Sequence, residues 1–346
     1  MFGLFSFTMR KLSLVVIALV LMLAAADGAW AQFNRGNIKK NNKRIASYRG
    51  KKNGFGHEKI YNAVGVSVNA LNYYGDIAPL PKRISTDISF TRPAFGLSFA
   101  HRFGPRYTLQ GQFMYGTLSG SDAKETSKTG ESQFRNTRNL SFRNRIKELS
   151  VVAYFDLFKN ESTYISRVAW TPYVFIGLAA FINNPQAQAP TYALDGSKLP
   201  QAGQWVDLRP LHTEGKSYGL VQPAIPFGIG ARFRINEVMD IWGDIGFRYT
   251  FTDYIDDVSG NYVALSSFGN NKLAQAMAYR SNEIYPNGAK DGNLGTASGV
   301  AGVSVVPGYG NAGDKRGNPG NKDVYMVTSI RLTYILGATF HKAKFR

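Results

Sequence analysis

The sequence predicts an all-β protein: an eight-stranded antiparallel transmembrane β-barrel with long external loops. Three observations lead to this fold class. Apolar and polar residues alternate with a period of two in eight segments, which is the pattern of β-strands. Long and short connections between these segments alternate along the chain. After residue 31, no apolar stretch reaches the length that a transmembrane helix requires.

The predicted strands carry apolar side chains on one face and small or polar side chains on the other. In the seventh strand, Ile245, Phe247 and Phe251 share one face, and Asp244 and Arg248 share the opposite face. An apolar face toward lipid and a polar face toward the lumen are typical of a transmembrane barrel strand. The fifth segment is apolar on both faces, so its pattern does not decide which face points toward the lumen. The eight predicted strands are residues 59–73, 90–103, 107–116, 145–158, 171–182, 221–235, 242–252 and 324–336.

The predicted connections are short at one end of the barrel and long at the other. Residues 104–106 and 236–237 form the shortest links, and 159–170 forms a moderate one. An even strand number with short turns at one end is the architecture of outer-membrane barrels. Leu273 and Met277 have helical spacing, which predicts a short helix within 271–285. The long connections are residues 75–89, 118–144, 183–220 and 253–323.

The predicted lumen contains isolated charges. An eight-stranded barrel is so narrow that side chains fill its interior, and buried charges are costly unless they pair. The pattern therefore predicts an internal network of salt bridges that closes the lumen, with a polar conduction path as the alternative. The charged residues assigned to the lumen are Glu148, Asp244, Arg248, Arg331 and Arg232.

The beginning of the chain has the pattern of an export signal. Arg10 and Lys11 precede the apolar run 12–26, and residues 29–31 read Ala-Trp-Ala, a cleavage signature. An uncleaved anchor helix is the alternative. The chain contains no cysteine, which excludes disulfides, thiolate metal sites and a lipid-modified cysteine. The predicted organisation is a signal peptide (1–31), a basic periplasmic arm (32–57), the barrel (58–340) with the long loop 253–322, and a basic tail (341–346).

The formal charge of +18 is concentrated in part in the basic arm. A basic excess of this size is often found in nucleic-acid-binding proteins, but the export signal argues against nucleic acid as a partner. The arm is either a solvated tail or a docking arm for an acidic partner or lipid head groups. The cations assigned to partner binding are Lys39, Lys40, Lys43, Arg44, Arg49, Lys51 and Lys52.

An acidic segment follows the seventh strand. Asp253, Asp256 and Asp257 could supply the oxygen ligands of a calcium site, but their spacing does not match an EF-hand loop. We expect these carboxylates to pair with arginines of another long loop, Arg138 and Arg143. The sequence therefore predicts neither a metal site nor a cofactor.

A catalytic serine–histidine pair is not expected. Ser98 and His101 are close in sequence, but residues three apart on a strand point to opposite faces. A barrel enzyme acting on lipid needs both on one face. We predict no catalytic residue and no small-molecule substrate. A lipid-modifying barrel, and a small pore or adhesin, are the alternative functions.

Several segments together carry a family resemblance. The chain resembles the PorG-like outer-membrane barrels of the type IX secretion system, or a close sister group. The matching segments span nearly the whole chain after residue 57, in order. They are residues 72–76, 78–79, 91–96, 101–107, 138–144, 183–187, 211–215 and 251–260.

The resemblance implies an outer-membrane component that contacts a periplasmic ring, formed by a ring lipoprotein and its partner. The type IX secretion machine exports large proteins across the outer membrane and supports gliding motility in some species. The predicted pattern of strands and connections is compatible with this arrangement. An even number of strands with short periplasmic turns brings both chain ends, including the arm 32–57 and the tail 341–346, to the periplasmic side. The other implied partner is the lipid of the outer membrane.

Overall fold

The computed structural model describes residues 59–77, 91–125, 133–289 and 294–336. All of them belong to the unit Phe55–Arg346. The predicted signal peptide (1–31), the basic arm (32–57) and the basic tail (341–346) lie outside the described residues. Among the described residues, no helix combines the length and the apolar character needed to cross a membrane.

The described residues are mainly β-strands. Three short helices, all in long connections, are α1 (Asp122–Glu125), α2 (Gln133–Arg138) and α3 (Lys272–Ala278). The strands are β1 (Tyr61–Tyr74), β2 (Arg92–Arg102), β3 (Tyr107–Ser121), β4 (Ser141–Asp156), β5 (Trp170–Ile182), β6 (Pro185–Gln188), β7 (Trp205–Asp207), β8 (Val221–Arg234), β9 (Met239–Thr250), β10 (Thr296–Ala297), β11 (Ser304–Val305) and β12 (Val324–Leu336).

Eight of these strands close into a barrel. The hydrogen-bonded order is β3-β2-β1-β12-β9-β8-β5-β4, and a further pairing of β3 with β4 completes the circle. Every neighbouring pair is antiparallel. The structure thus confirms the predicted fold class, and each predicted strand overlaps one barrel strand.

The phase of the strands is also the predicted one. On β9, Ile245 is half exposed on the outside, while Asp244 and Arg248 are buried inside. The structure also shows which face of the fifth segment points toward the lumen. Leu178 is 72% exposed, whereas Phe175 is buried in the lumen, so this strand has an aromatic rather than a polar inner face.

Two strands extend furthest beyond their predicted bounds. β3 continues past residue 116 to Ser121, and β4 begins at Ser141 instead of 145. Their pairing continues through Thr117 opposite Arg145 to the end of the hairpin. In this extension the outward-facing residues are polar, so the alternation typical of a lipid-facing strand is lost. The hydrogen-bonded pairing of the two strands nevertheless continues.

The long connections pack together into a cap, defined here as the described residues of 75–77, 122–140, 183–220 and 251–323. The hairpin of β6 and β7 extends the sheet beside the upper part of β4. Helix α3 lies within the predicted segment 271–285, and Met277 packs with Leu208. A second cluster joins Leu265 and Tyr279. The cap covers the long-loop end of the barrel, and the three short connections lie at the other end.

Candidate functional site

Four aromatic rings fill the half of the lumen nearest the short turns. We call Tyr154, Tyr173, Phe175 and Trp242 the aromatic plug; they are buried and form one cluster. The ring of Tyr154 lies 5.3 Å from that of Tyr173 and 5.4 Å from that of Trp242, measured between ring centres. These separations are typical of favourable edge-to-face contacts. The rings occupy the space through which a solute would have to pass.

Glycines on the neighbouring strands β8 and β9 make room for the plug. A β-carbon at Gly246 would lie only 2.5 Å from Cζ of Phe175, and one at Gly230 would lie 2.6 Å from Cζ of Tyr173. Real β-carbons do not approach other atoms so closely, so the large rings of β5 require glycine at these inward positions of β8 and β9.

Arg331 lies at the centre of the lumen beside the plug. Its guanidinium donates to Gln110 Oε1 at 2.9 Å, to the Tyr154 hydroxyl at 3.2 Å and to Asp244 Oδ2 at 3.2 Å. The Tyr173 hydroxyl also donates to Asp244 Oδ2, at 3.1 Å. Both charged side chains are buried. Hydrogen bonds from neighbouring side chains support this buried charge pair, although Nε of Arg331 is buried without a partner.

Two further charge clusters lie above and below this centre. Toward the cap, Arg248 Nε is 3.7 Å from Glu148 Oε2, and Glu148 accepts from the Tyr325 hydroxyl at 2.6 Å. Toward the short turns, Arg232 pairs with Asp156 at 2.6 Å.

All five charged residues assigned to the lumen therefore face inward, and each has a charged partner. Asp156 also pairs with Arg102, at 2.7 Å. The sequence pattern did not single out either as a lumen charge. Both occupy inward positions of their strands, so a search for charges along the whole polar face would have found them.

The lumen is also closed beneath the cap. We call Leu71, Met114, Phe142, Phe181 and Ile255 the apolar seal; each is buried, and all belong to one cluster. A cavity of ≈ 10 Å³ remains above them, lined in part by Ile77 and Leu140, which is room for about one water molecule.

The predicted pairing of the acidic segment with Arg138 and Arg143 is wrong. Arg138 pairs with Asp122 at 2.8 Å, because the start of the same long connection brings this carboxylate to it. Arg143 stacks on Trp205, with its guanidinium 3.7 Å from the ring centre, and donates to Gln186. It faces outward, away from the acidic segment.

Asp257 has a different arginine as its partner. Arg316 Nη2 lies 3.8 Å from Asp257 Oδ2, which also accepts from the Thr213 hydroxyl at 2.5 Å. The hydroxyl of Tyr218 donates to the other oxygen. Burial raises the pKa of Asp257 to about 6, although Arg316 opposes the shift. Arg316 lies in the Gly-rich part of the last loop, where the sequence has no periodicity to place it.

The other acidic residues at the base of the cap are held by backbone groups. Asp256 accepts from the backbone N–H of Ile77 at 2.9 Å and that of Val258 at 3.0 Å. Asp323 accepts from the backbone N–H of Ile255 and the hydroxyl of Tyr73.

Burial is the main cause of the raised pKa values at the cap base. It lifts the pKa values of Asp256 and Asp323 well above the usual range, and brings that of Asp253 to about 6. Within the described ranges, no three His, Cys, Asp or Glu side chains form a group that could hold a metal ion.

Arg316 and Arg138 connect the loops of the cap. Arg316 donates to Glu214 at 2.8 Å and to the Asp257 carbonyl at 2.6 Å. Arg138 donates to the carbonyls of Arg316 and Asp76. Segments of all four long connections thus meet at two guanidinium groups. These contacts join residues far apart in sequence, and nothing in the local pattern predicts them.

At the short-turn end, Arg167 ties two turns together. It pairs with Asp240 at 2.6 Å and donates to the carbonyl of Glu237 at 2.6 Å. On β2 of the same barrel, His101 faces outward and Ser98 faces inward, as the strand period requires.

The family described as a domain of unknown function (DUF6089) matches residues 55–198. No curated protein sequence matches the chain.

Several solved structures have a similar fold. Ail, the attachment invasion locus protein of Yersinia pestis, is 8% identical, with 80% of this chain and 99% of that chain covered and a TM-score of 0.33. The N-terminal β-barrel domain of Pseudomonas aeruginosa OprF is 9% identical (80% and 100% covered, TM-score 0.31). A major outer membrane protein from Thermus thermophilus is 10% identical (80% and 99% covered, TM-score 0.35).

Proposed function

We propose that this chain is a non-conducting outer-membrane barrel that anchors a periplasmic ring complex of a type IX protein secretion machine. The observation that carries the proposal is a closed barrel with an apolar outer surface and a lumen filled by side chains. Such a barrel suits a membrane environment but offers no route for a solute. It would then contribute to the machine by anchoring a partner at its turns and loops, and not by transporting a solute.

The outer surface supports membrane insertion. On β4 and the turn after it, exposed apolar residues run from Leu149 to Leu157. At about 3.4 Å per residue and a tilt of about 40°, this band is about 21 Å tall. Outer-membrane barrels have a band of about 25 Å flanked by aromatic girdles. Tyr107 and Tyr115, at the two ends of the lipid-facing part of β3, are half exposed and fit such girdles.

The ends of the barrel strands support contact with a periplasmic partner. β1 begins and β12 ends at the short-turn end, which faces the periplasm in outer-membrane barrels. The basic segments 32–57 and 341–346 are attached to these strand ends. Both segments carry an excess of Lys and Arg, for which an acidic ring surface is a suitable partner. The choice of a type IX machine rests on the sequence resemblance.

A non-enzymatic role agrees with the outer surface of β2. Ser98 and His101 lie on opposite faces of the strand, so they cannot act together on a lipid. The filled lumen argues in the same way against a pore.

The sharpest test is site-specific photo-crosslinking in intact cells. A photoreactive amino acid at Lys43 or Lys51 of the basic arm should form an adduct with a periplasmic ring subunit. The same group at Tyr192, which is 59% exposed in the cap, is the matched control and should form no such adduct. Recovery of lipid alone from both arm positions would contradict the proposal.

Deletion of the gene provides a second test. Export of the cargo of the machine should stop, and expression of the intact chain should restore it. A chain in which the seven arm cations from Lys39 to Lys52 are replaced by Gln should insert in the membrane but restore export poorly. Normal export after deletion would rule out a role in secretion.

A further inference from the structure

Three cations follow one another on the outer face of β4. Arg143, Arg145 and Lys147 alternate with the buried residues Asn144 and Ile146, so all three side chains point away from the barrel. We call these three residues the cation stripe. At about 3.4 Å per residue, they extend over about 14 Å of the strand.

No carboxylate among the described residues neutralises the cation stripe. Within the described part of the chain, none of its members forms an ion pair with a carboxylate, whereas the buried arginines Arg138 and Arg316 both do. Nε of Arg143 donates to Gln186, and the centre of its guanidinium lies 3.7 Å from the ring centre of Trp205. Among the described residues, no hydrogen-bond acceptor is assigned to its two terminal nitrogens. Like charges so close together repel each other unless an anion lies between them.

The stripe lies directly next to the lipid-facing band. Lys147 is two residues before Leu149, which is 65% exposed, and it is paired across the sheet with Tyr115. Tyr115 and Trp205 are each 42% exposed on either side of the stripe. Exposed Tyr and Trp are typical of the headgroup level of a membrane. The cations therefore begin where the hydrocarbon band ends, on the long-loop side.

We propose that the cation stripe binds the phosphate groups of phosphorylated glycolipids in the outer leaflet. Arginine forks and lysine ammonium groups are well suited to phosphate, and the long-loop side of an outer-membrane barrel faces the outer leaflet. The inference rests on the proposed outer-membrane location. A lipid is favoured over an acidic protein because the stripe is continuous with the lipid band and follows the strand from the hydrocarbon boundary outward.

The test measures binding of purified lipopolysaccharide, and of the same material after enzymatic dephosphorylation, to the full chain in detergent micelles. The stripe variant carries Arg145→Gln and Lys147→Gln, which leaves the contacts of Arg143 with the β6–β7 hairpin intact. The control variant carries Lys159→Gln and Arg234→Gln, two exposed cations at the short-turn end. Both variants lose the same charge. A change of migration on heating before gel electrophoresis checks that each variant is folded.

The intact chain should bind the phosphorylated form more tightly than the dephosphorylated form. Each cation near an anionic membrane surface contributes about fivefold to binding, so the stripe variant should bind about thirtyfold more weakly. The control variant should bind like the intact chain. Equal affinity of the stripe and control variants would overturn the inference. So would equal binding of both lipid forms, or recovery of an acidic membrane protein instead of lipid that depends on the stripe.

Failure of the proposed function is distinguishable from failure of this inference. Fractionation of cells with antibody detection reports whether the chain resides in the outer membrane. Absence from that membrane would contradict both. Residence there without phosphate-dependent binding would overturn only the lipid site.

Discussion

Arg331 joins four strands through a single guanidinium. It extends from β12 and bonds with Gln110 on β3, Tyr154 on β4 and Asp244 on β9. Burying charges costs free energy, which an ion pair and its hydrogen bonds offset only in part when a buried polar atom, here Nε of Arg331, has no partner. The group therefore fixes which strands meet across the lumen more than it adds net stability.

Removal of one member of this pair should be strongly destabilising. Asp244→Ala leaves the guanidinium of Arg331 buried without its counter-ion, so the free energy of unfolding should fall by about 3–5 kcal/mol. Guanidinium-induced unfolding in lipid vesicles, followed by tryptophan fluorescence, measures the change.

The double variant Asp244→Ala/Arg331→Met should lose less stability than the sum of its two single variants, because no unpaired charge remains. Lys272→Ala, which breaks an exposed ion pair in the cap, is the control and should change little. Strict additivity of the two lumen substitutions would show that they are not coupled.

Gly246 and Gly243 form a matched pair on β9. Gly246 faces Phe175, whereas a β-carbon at Gly243 would contact nothing within 4 Å. Gly246→Val should destabilise the barrel by about 1–3 kcal/mol through overpacking. Gly243→Val, on the lipid side, should leave stability unchanged or improve it, because valine favours strands.

The same unfolding assay compares the two glycine variants. Phe175→Leu should partly rescue Gly246→Val by freeing space for the new side chain. Equal effects of valine at Gly246 and Gly243 would contradict the close packing of the plug.

At the scale of elements, the loop 251–260 depends on buried carboxyl groups. The pKa values of Asp253 and Asp257 are each raised to about 6 by burial, above the value of about 3.9 for an unfolded chain. The folded state then binds protons more tightly than the unfolded state. The resulting stabilisation is fully present below about pH 4 and is lost as the pH rises through about 6.

The base of the cap should therefore open more readily at pH 8 than at pH 5. Hydrogen exchange of residues 251–260, corrected for the intrinsic pH dependence, should be less protected at pH 8 by about tenfold for each of the two carboxyl groups, about a hundredfold in all. Asp253→Asn should retain more protection at pH 8, since an amide has no charge to bury.

Asp195 serves as the control for this pH dependence. It is exposed in the cap, and hydrogen bonds from Lys272 and Ser197 lower its pKa. Asp195→Asn should therefore not reduce the loss of protection. Greater protection at pH 8 than at pH 5 would contradict the assigned direction.

The strands could be predicted from the sequence and the cap could not, for a physical reason. Successive residues of a barrel strand face lipid and lumen in turn, so apolar and polar residues alternate along it. This alternation predicts β12 at its observed bounds, 324–336. Loop residues have no such constraint. Charge complementarity favours a pair of Arg138 with the acidic segment, but the fold places Asp122 2.8 Å from its guanidinium instead. The sequence does not decide which face of β5 points inward, because aromatic residues are found both in a filled lumen and on a lipid-facing surface.

At the scale of the whole molecule, two barriers lie in series along the lumen. The aromatic plug occupies the half near the short turns, and the apolar seal lies beneath the cap. The pair of Arg331 with Asp244 and that of Arg248 with Glu148 lie between them. The two layers are separate clusters of side chains, so we expect each of them to block the lumen by itself.

This arrangement predicts that the protein does not conduct and that damage to one layer does not open it. In planar bilayers, the intact chain should give no sustained conductance step. Trp242→Leu/Phe175→Leu, in the plug, and Met114→Ala/Phe142→Leu, in the seal, should each stay closed, because the remaining layer still blocks the path. Even the combination of the four substitutions should give at most small, brief steps, because Tyr154 and Tyr173 still fill the plug, and Leu71, Phe181 and Ile255 still fill the seal. Heat-modifiable gel migration confirms folding of each variant before measurement. A stable step from the intact chain would contradict a closed lumen, and strong conduction by either double variant would mean that one layer alone forms the barrier.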